Sequence, residues 1–184
     1  MPEIFAQRNI EETNELQGLW NRIRNIIMNN KITVLDMEIA LAKYFGWRNK
    51  LIVPNISWGM ELHECDLLVL SKNGFATEIE IKINRADLIR DQEKTHGHIS
   101  HKIKYLYFAV PENLLDLNSF LPERAGLIKV FRYKNNGGIY CETIRKAKPN
   151  GNYKFSDSEK YKMARLGAMR IWGLKRKMKQ YYKF

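Results

Sequence analysis

Charged side chains interrupt two stretches of sequence, residues 63–70 and 76–83, that otherwise have the aliphatic composition of buried strands. These side chains are Glu64, Asp66, Glu78, Glu80 and Lys82. A buried strand should carry charge only where the charge is paired or binds a metal. Side chains alternate between the two faces of a strand, so the acids at 64 and 66 share a face, as do the residues at 78, 80 and 82. If the strands pair, acids and a lysine converge on one patch, which is the composition of a Mg²⁺ site with an adjacent cation.

A strong hairpin signal separates the two stretches and favours their pairing. It is Lys72-Asn73-Gly74, in which Asn-Gly is typical of the tight turn between antiparallel strands. The alternative to a metal site is a buried salt bridge that only holds the hairpin together. Buried ion pairs are poor stabilisers, so this alternative is the weaker of the two.

The charge of the chain is unevenly distributed. The formal net charge is +11, and the pI is about 9.6. Residues 145–184 contain thirteen Lys or Arg against Asp157 and Glu159, whereas residues 61–82 contain five acids against two lysines. A basic protein with one acidic segment is expected to bind a polyanionic partner, and nucleic acid is a better candidate than a membrane surface. The alternative is a solvated basic surface with scattered acids.

The composition is that of a soluble globular protein. The chain has 184 residues, of which 45% are hydrophobic and 28% charged, and this suits one compact domain. The sequence contains no apolar run of about 18 residues, so no membrane span is predicted. The start of the sequence does not resemble a secretion signal. Cys65 and Cys141 do not form a disulfide framework, and both are expected to be reduced core residues. A cytoplasmic location is therefore expected.

Periodicity and turn signals predict an α/β domain with a mixed central sheet flanked by helices. Helices are expected at residues 10–29 and 34–45, from residue 84, at 112–120, and from the capping box at 156–159. Strands are expected at residues 50–57, 63–70, 76–83, 101–110, 125–133 and 138–145. Pro54 suggests that the first strand lies at an edge or bends.

Glu38 is unexpected in its helix. It falls within an apolar stripe formed by Val34, Leu35, Leu41 and neighbouring residues. Either the helix is rotated, so that Glu38 lies at the edge of the stripe, or its carboxylate points into the same site as the acids on the strands.

This arrangement resembles the PD-(D/E)XK nuclease superfamily, whose restriction-endonuclease-like core is a helix, a three-stranded meander, a helix and a further strand. Asp66 and Glu80-Ile81-Lys82 match the motif, and Glu38 is the candidate for the glutamate that many members add from the first core helix. Cys65 stands where the motif has proline. The stretches EIKINRADLIRD, KIKYLYFAVPENL and AGLIKVFRY are similar to the MmcB-like DNA-repair branch, over residues 51–133. The resemblance implies a nuclease-like core at about residues 33–146 and does not explain the segments on either side of it. We expect residues 1–184 to form a single domain, in which the sequence pattern predicts a basic helix at about residues 156–182.

Each matching residue then has an expected role. Asp66 and Glu80 would ligate Mg²⁺ or Mn²⁺, with the carbonyl of Ile81 as a further ligand. Glu38 would complete the metal ligands or hold a metal-bound water. Lys82 would orient the attacking water or stabilise developing negative charge. Glu64 and Glu78 are expected to lie next to these residues and to interact with them without ligating the metal.

Basic residues on two helices are candidates for binding nucleic acid. They are Arg85, Arg90, Arg165, Arg170, Lys175, Arg176, Lys177 and Lys179. For the first two, the alternative is a capped helix with alternating surface charges. The apolar residues of the C-terminal helix indicate that one face packs on the domain or on a second subunit, as in a homodimer.

Aromatic and histidine side chains offer weaker signals. Trp58 and Trp172 could stack on unpaired bases, although packing is the more common role of tryptophan. His96, His98 and His101 could contact phosphate or form a polar loop; a zinc site would need a fourth ligand that is not nearby.

The function that follows is a Mg²⁺-dependent deoxyribonuclease, a hydrolase of phosphodiester bonds in DNA repair or processing. The main alternative is an accessory protein that keeps the nuclease fold and binds nucleic acid without significant turnover. A third hypothesis is a domain whose basic tail docks an acidic protein.

Overall fold

The computed structural model describes residues 31–56, 59–91, 100–133 and 135–181. Thr33–Phe184 form one compact unit. The predicted helix at residues 10–29, Trp58, His96 and His98 lie outside the described residues. The helices are α1 (Val34–Phe45), α2 (Arg85–Asp91), a 3-10 helix (Glu112–Phe120) and α3 (Asp157–Tyr181). The strands are β1 (Leu51–Ile56), β2 (Cys65–Leu70), β3 (Ala76–Ile81), β4 (Ile103–Pro111), β5 (Gly126–Arg132) and β6 (Ile139–Arg145).

The six strands form one mixed sheet in the order β1-β2-β3-β4-β5-β6. The first three strands are an antiparallel meander, β3, β4 and β5 are parallel, and β6 returns antiparallel. The two parallel connections contain α2 and the 3-10 helix, as crossovers between parallel strands require. The predicted α/β class with a mixed sheet flanked by helices is therefore confirmed. Pro54 lies on the edge strand β1, where a missing donor is tolerated.

The hairpin between β2 and β3 fixes the register of the acidic residues. Gly74 adopts φ +84° in the turn, a conformation that favours glycine. Leu68 lies opposite Glu78, and continuing this register by two residues places Asp66 opposite Glu80. On the other side, the register of β1 with β2 places Asn55 opposite Asp66. A row of polar residues therefore crosses three adjacent strands.

The helix starts agree with the capping signals of the sequence. Thr33 and Asp36 form a reciprocal capping box on α1, and Ser156 and Glu159 do the same for α3. The Asn84 side chain accepts a hydrogen bond from the backbone of Asp87 at the start of α2.

The buried face of α1 differs from the predicted stripe. Met37, Ala40 and Leu41 are buried, whereas Val34 and Leu35 are 41% and 63% exposed. Relative to the predicted stripe, the helix is rotated about its axis, so that residues 37 and 41, which lie one turn apart, both face the sheet. Glu38 consequently lies beside the buried face and is half-buried.

The first half of helix α3 packs against the sheet. Met163 and Leu166 are buried in a core cluster with Val53 of β1, and an added Cβ at Gly167 would lie 3.3 Å from Val53. The large apolar side chains that follow are exposed; they are Met169, Ile171, Trp172, Leu174 and Met178. The expectation that one face packs on the domain holds for the first half of the helix. Among the described residues, no helix is long and apolar enough to cross a membrane.

Candidate metal and phosphate site

One open cavity of about 360 Å³ is lined by four of the five residues that the sequence suggested for catalysis and metal binding. Its lining residues are Val34, Glu64, Asp66, Glu80, Ile81, Lys82 and Asp87. Asp66 lies at the start of β2 and Glu64 directly precedes that strand, whereas residues 80 and 81 end β3 and Lys82 directly follows it. The predicted motif residues thus lie around a single space, at one edge of the β2–β3 hairpin.

The motif side chains are held by short contacts. The backbone N–H of Ile81 donates to Oδ2 of Asp66 at 2.7 Å, which fixes the orientation of that carboxylate. Lys82 donates through Nζ to Oε2 of Glu80 at 3.1 Å. Glu80 is 2% exposed and Lys82 is 4% exposed, so this ion pair is almost fully withdrawn from solvent. Such a pair costs desolvation energy that its attraction barely repays, which is unusual for a purely structural contact.

The pKa of the Cys65 thiol reflects the negative charges that surround it. Burial raises its pKa, and the negative charges of Glu78, Glu80, Asp66 and Glu64 raise it further. Four carboxylates therefore act on one buried atom. Their combined negative potential attracts cations.

Glu38 is not a lining residue of the cavity, but its carboxylate interacts electrostatically with that of Asp66, which is one. Burial raises the pKa of Glu38, the hydrogen bond from Asn55 opposes this, and the negative charge of Asp66 raises the pKa further. Nδ2 of Asn55 lies 3.5 Å from Oε1 of Glu38, at the long limit of a hydrogen bond. The structure thus brings Glu38 within electrostatic range of Asp66.

Because the pKa of Glu38 is raised in the folded protein, folding favours its protonated form. The resulting cost is absent below the ordinary value of 4.5 and grows as the pH rises above it. We expect Glu38→Gln to raise the urea midpoint at neutral pH, and to leave it unchanged near pH 4. A midpoint that falls at neutral pH would show that the carboxylate is stabilising.

Two further residues belong to this region although the sequence analysis assigned them no role. Asn55 adopts φ +53°, which asparagine tolerates better than most residues. Its carbonyl oxygen accepts a hydrogen bond from Nη2 of Arg170 on α3. His63 donates or accepts at Nε2 with Oε1 of Glu78 at 2.7 Å, and Glu78 is fully buried. A proline followed by asparagine within a strand was the available signal for the first residue, and the polar run that begins at His63 was the signal for the second.

Asp87 has two roles in the structure. Its backbone N–H donates to the Asn84 side chain that caps α2, and the residue also lines the cavity. Glu78 is placed differently from the supporting role expected at the site, since its side chain contacts His63 and its charge acts on Arg124.

The predicted nucleic-acid-binding residues lie on two helices. On α2, Arg85 lies 3.8 Å from Asp116 and faces the ring of Phe120, and Arg90 is exposed. On α3, Arg165, Lys175, Arg176, Lys177 and Lys179 are exposed. Arg170 is half-buried because it turns towards β1. His101 packs edge-on against Tyr153.

The donor set determines which metal the cavity could hold. In the part of the chain that the structure describes, no three His, Cys, Asp or Glu side chains are grouped as a metal cage. Mg²⁺ is usually bound by one or two carboxylates together with waters and substrate phosphates. Asp66 and Glu80, with the backbone of Ile81 beside them in an open cavity, fit that mode of binding.

Comparison of the sequence with protein-family models gave no match, and neither did comparison with curated proteins. Among solved structures, the chain is similar to SPO1766, a protein of unknown function from Silicibacter pomeroyi. The two share 18% sequence identity and superpose with a TM-score of 0.53, covering 79% of this chain and 90% of the other. At this level of identity the likeness concerns the fold alone.

Proposed function

We propose that this protein is a metal-dependent nuclease that hydrolyses DNA phosphodiester bonds. The observation that carries the proposal is that Asp66, Glu80 and Lys82 line one cavity on paired strands. The resemblance of these residues to the PD-(D/E)XK motif, and of residues 51–133 to the MmcB-like DNA-repair branch, supports it. The net charge of +11 supports a polyanionic substrate.

Asp66 and Glu80 would hold Mg²⁺ or Mn²⁺ together with the backbone of Ile81. When bound, such an ion supplies an acidified water and neutralises charge on the phosphate. The hydrogen bond from Ile81 to Asp66 keeps that carboxylate in place. Lys82 is a lining residue of the cavity, and its ammonium group would donate to a phosphate oxygen or to the attacking water.

Glu38 is suited to a supporting role. Its carboxylate acts electrostatically on Asp66 and is reached by the side chain of Asn55. A carboxylate with a raised pKa can accept a proton from a water near the cavity.

The proposal is tested by incubating the protein with plasmid and single-stranded DNA in Mg²⁺, in Mn²⁺ and in a chelator. Cleavage is expected with either metal and none with the chelator. In parallel, calorimetric titration with Mn²⁺ should give a binding signal that is lost in Asp66→Asn and in Glu80→Gln. The matched control is Asp116→Asn, because Asp116 is 70% exposed and lies outside the cavity. Cleavage that survives both site substitutions would contradict the proposal.

A second candidate function is nucleic-acid binding without significant turnover. It is favoured by the Lys82–Glu80 ion pair, since a lysine already occupies one carboxylate oxygen that a metal would need. For that function, DNA binding should persist while the Mn²⁺ titration shows no dependence on Asp66 or Glu80.

A further inference from the structure

A second cavity, of about 400 Å³, lies at the other end of the β1–β2 pair. Its lining residues are Asn49, Lys50, Leu51, Leu70, Ser71, Lys72, Lys160, Tyr161 and Ala164. The walls are mostly apolar, and the volume falls within the range of about 300–1,000 Å³ that is usual for small-molecule pockets. The three lysines give it a positive rim, although Lys160 also forms an ion pair with Asp157 at 2.8 Å.

Tyr161 gives this cavity an accessible aromatic wall. Its side chain is 72% exposed, although it belongs to the half of α3 that packs on the sheet. An apolar space bordered by an aromatic ring and cations suits a planar, anionic ligand such as a nucleotide. Bases stack on the ring, and phosphates contact the lysines.

The helix α3 connects this cavity with the candidate metal and phosphate site. Near its start, Tyr161 lies beside Leu51, the first residue of β1. Nine residues later, Arg170 donates to the carbonyl of Asn55, which lies opposite Asp66 in the sheet. Nine residues of helix span about 14 Å, which about four stacked nucleotides would cover at about 3.4 Å each.

The outer face of α3 continues the same chemistry. Tyr161, Arg165, Trp172 and Arg176 follow one row of the helix by its periodicity, and all four are exposed. Lys175 lies 5.0 Å from the centre of the Trp172 ring. Aromatic and basic side chains therefore alternate along an exposed face of the helix that begins at the cavity.

We propose that the second cavity binds an unpaired base of the DNA strand whose backbone reaches the candidate site, so that the substrate has a single-stranded or extruded segment. A base within a duplex is stacked and paired and cannot enter a pocket. The proposal rests on the proposed function for the identity of the ligand. An acidic peptide with an apolar side chain is the competing occupant.

The test is the affinity of the protein, in a chelator that prevents cleavage, for three fluorescent probes. They are a short thymidine oligonucleotide, the same backbone with abasic sites, and a duplex of the same length. We expect Tyr161→Ala to weaken binding of the thymidine probe roughly tenfold and to leave the abasic and duplex probes unchanged. Lys72→Ala should weaken the thymidine and abasic probes alike. Tyr133→Ala is the control, because that tyrosine is 49% exposed and is not a lining residue of the cavity.

Unchanged affinity of Tyr161→Ala for the thymidine probe, or an equal loss for the abasic probe, would overturn the base pocket. Displacement of the probe by a glutamate-rich peptide, with the same dependence on Tyr161, would favour a protein partner instead. Cleavage is measured separately with Mg²⁺. If the probes bind as expected and no DNA is cleaved, the proposed nuclease function is contradicted and the proposed base pocket is not. If DNA is cleaved and Tyr161→Ala has no effect on probe binding, the base pocket is contradicted and the nuclease function is not.

Discussion

Lys82→Met is expected to lower the rate of DNA cleavage by roughly 100- to 1,000-fold, the usual cost of losing one charge-stabilising donor from an active site. The side chain is buried, lines the candidate site, and donates to Glu80 at 3.1 Å. Methionine has a similar length and no charge, so the substitution removes the ammonium group without opening a large cavity. The measurement is single-turnover cleavage with saturating Mg²⁺, expressed per folded molecule.

Lys102→Met provides a matched control for this experiment. Lys102 is also a buried lysine, 6% exposed, and it forms ion pairs with Glu61 and Glu159 outside the candidate site. Each substitution removes a positive charge that is paired with carboxylates, so each should lower the free energy of unfolding. Only Lys82→Met should slow cleavage by folded molecules. Equal rates for the two variants would remove Lys82 from the mechanism.

Glu159→Gln is expected to destabilise the protein by about 2–3 kcal/mol near pH 7. Glu159 caps α3, and it accepts hydrogen bonds from Lys102 at 3.1 Å and from Tyr153 at 2.7 Å. Although burial alone would raise its pKa, the hydrogen bonds from Tyr153, Ser156 and Lys102 lower it to about 2. The folded state therefore favours the carboxylate. Its contribution is complete above the ordinary value of 4.5 and disappears as the pH falls towards 2.

Urea denaturation of the wild type and of Glu159→Gln across this pH range measures the effect. The difference in the free energy of unfolding should shrink steadily below about pH 4.5. Asp157→Asn is the control, because Asp157 is 98% exposed and its ion pair with Lys160 lies at the surface, where such pairs contribute little. A difference between wild type and Glu159→Gln that is constant with pH would show that charge is not the cause.

The strands, the hairpin and the caps could be predicted because each depends on residues close together in sequence. Asn73-Gly74 fixed the turn, and the turn fixed the register that sets Asp66 opposite Glu80. Thr33 and Ser156 marked helix starts through their own side chains. Local chemistry of this kind is legible in a single sequence.

Features that depend on distant residues were not predictable in the same way. The rotation of α1, which exposes Val34 and Leu35, is set by packing against the sheet. The pairing of His63 with Glu78 requires a loop residue to reach a buried strand. Asn55 joins the site region through a positive φ angle and through Arg170, which lies 115 residues further along the chain.

The exposed second half of α3 has an energetic consequence. The side chains of residues 171–179 are exposed or half-buried, so the helical state of this segment depends mainly on intrinsic preference and on the half that is anchored. Gly173 weakens that preference by about 1 kcal/mol relative to alanine, and an added Cβ there would meet no atom within 4 Å. The second half of the helix is therefore expected to unfold at a lower free-energy cost than the anchored first half. A partner that bound this half would hold the helix closed, and that stabilisation would draw on part of the binding free energy.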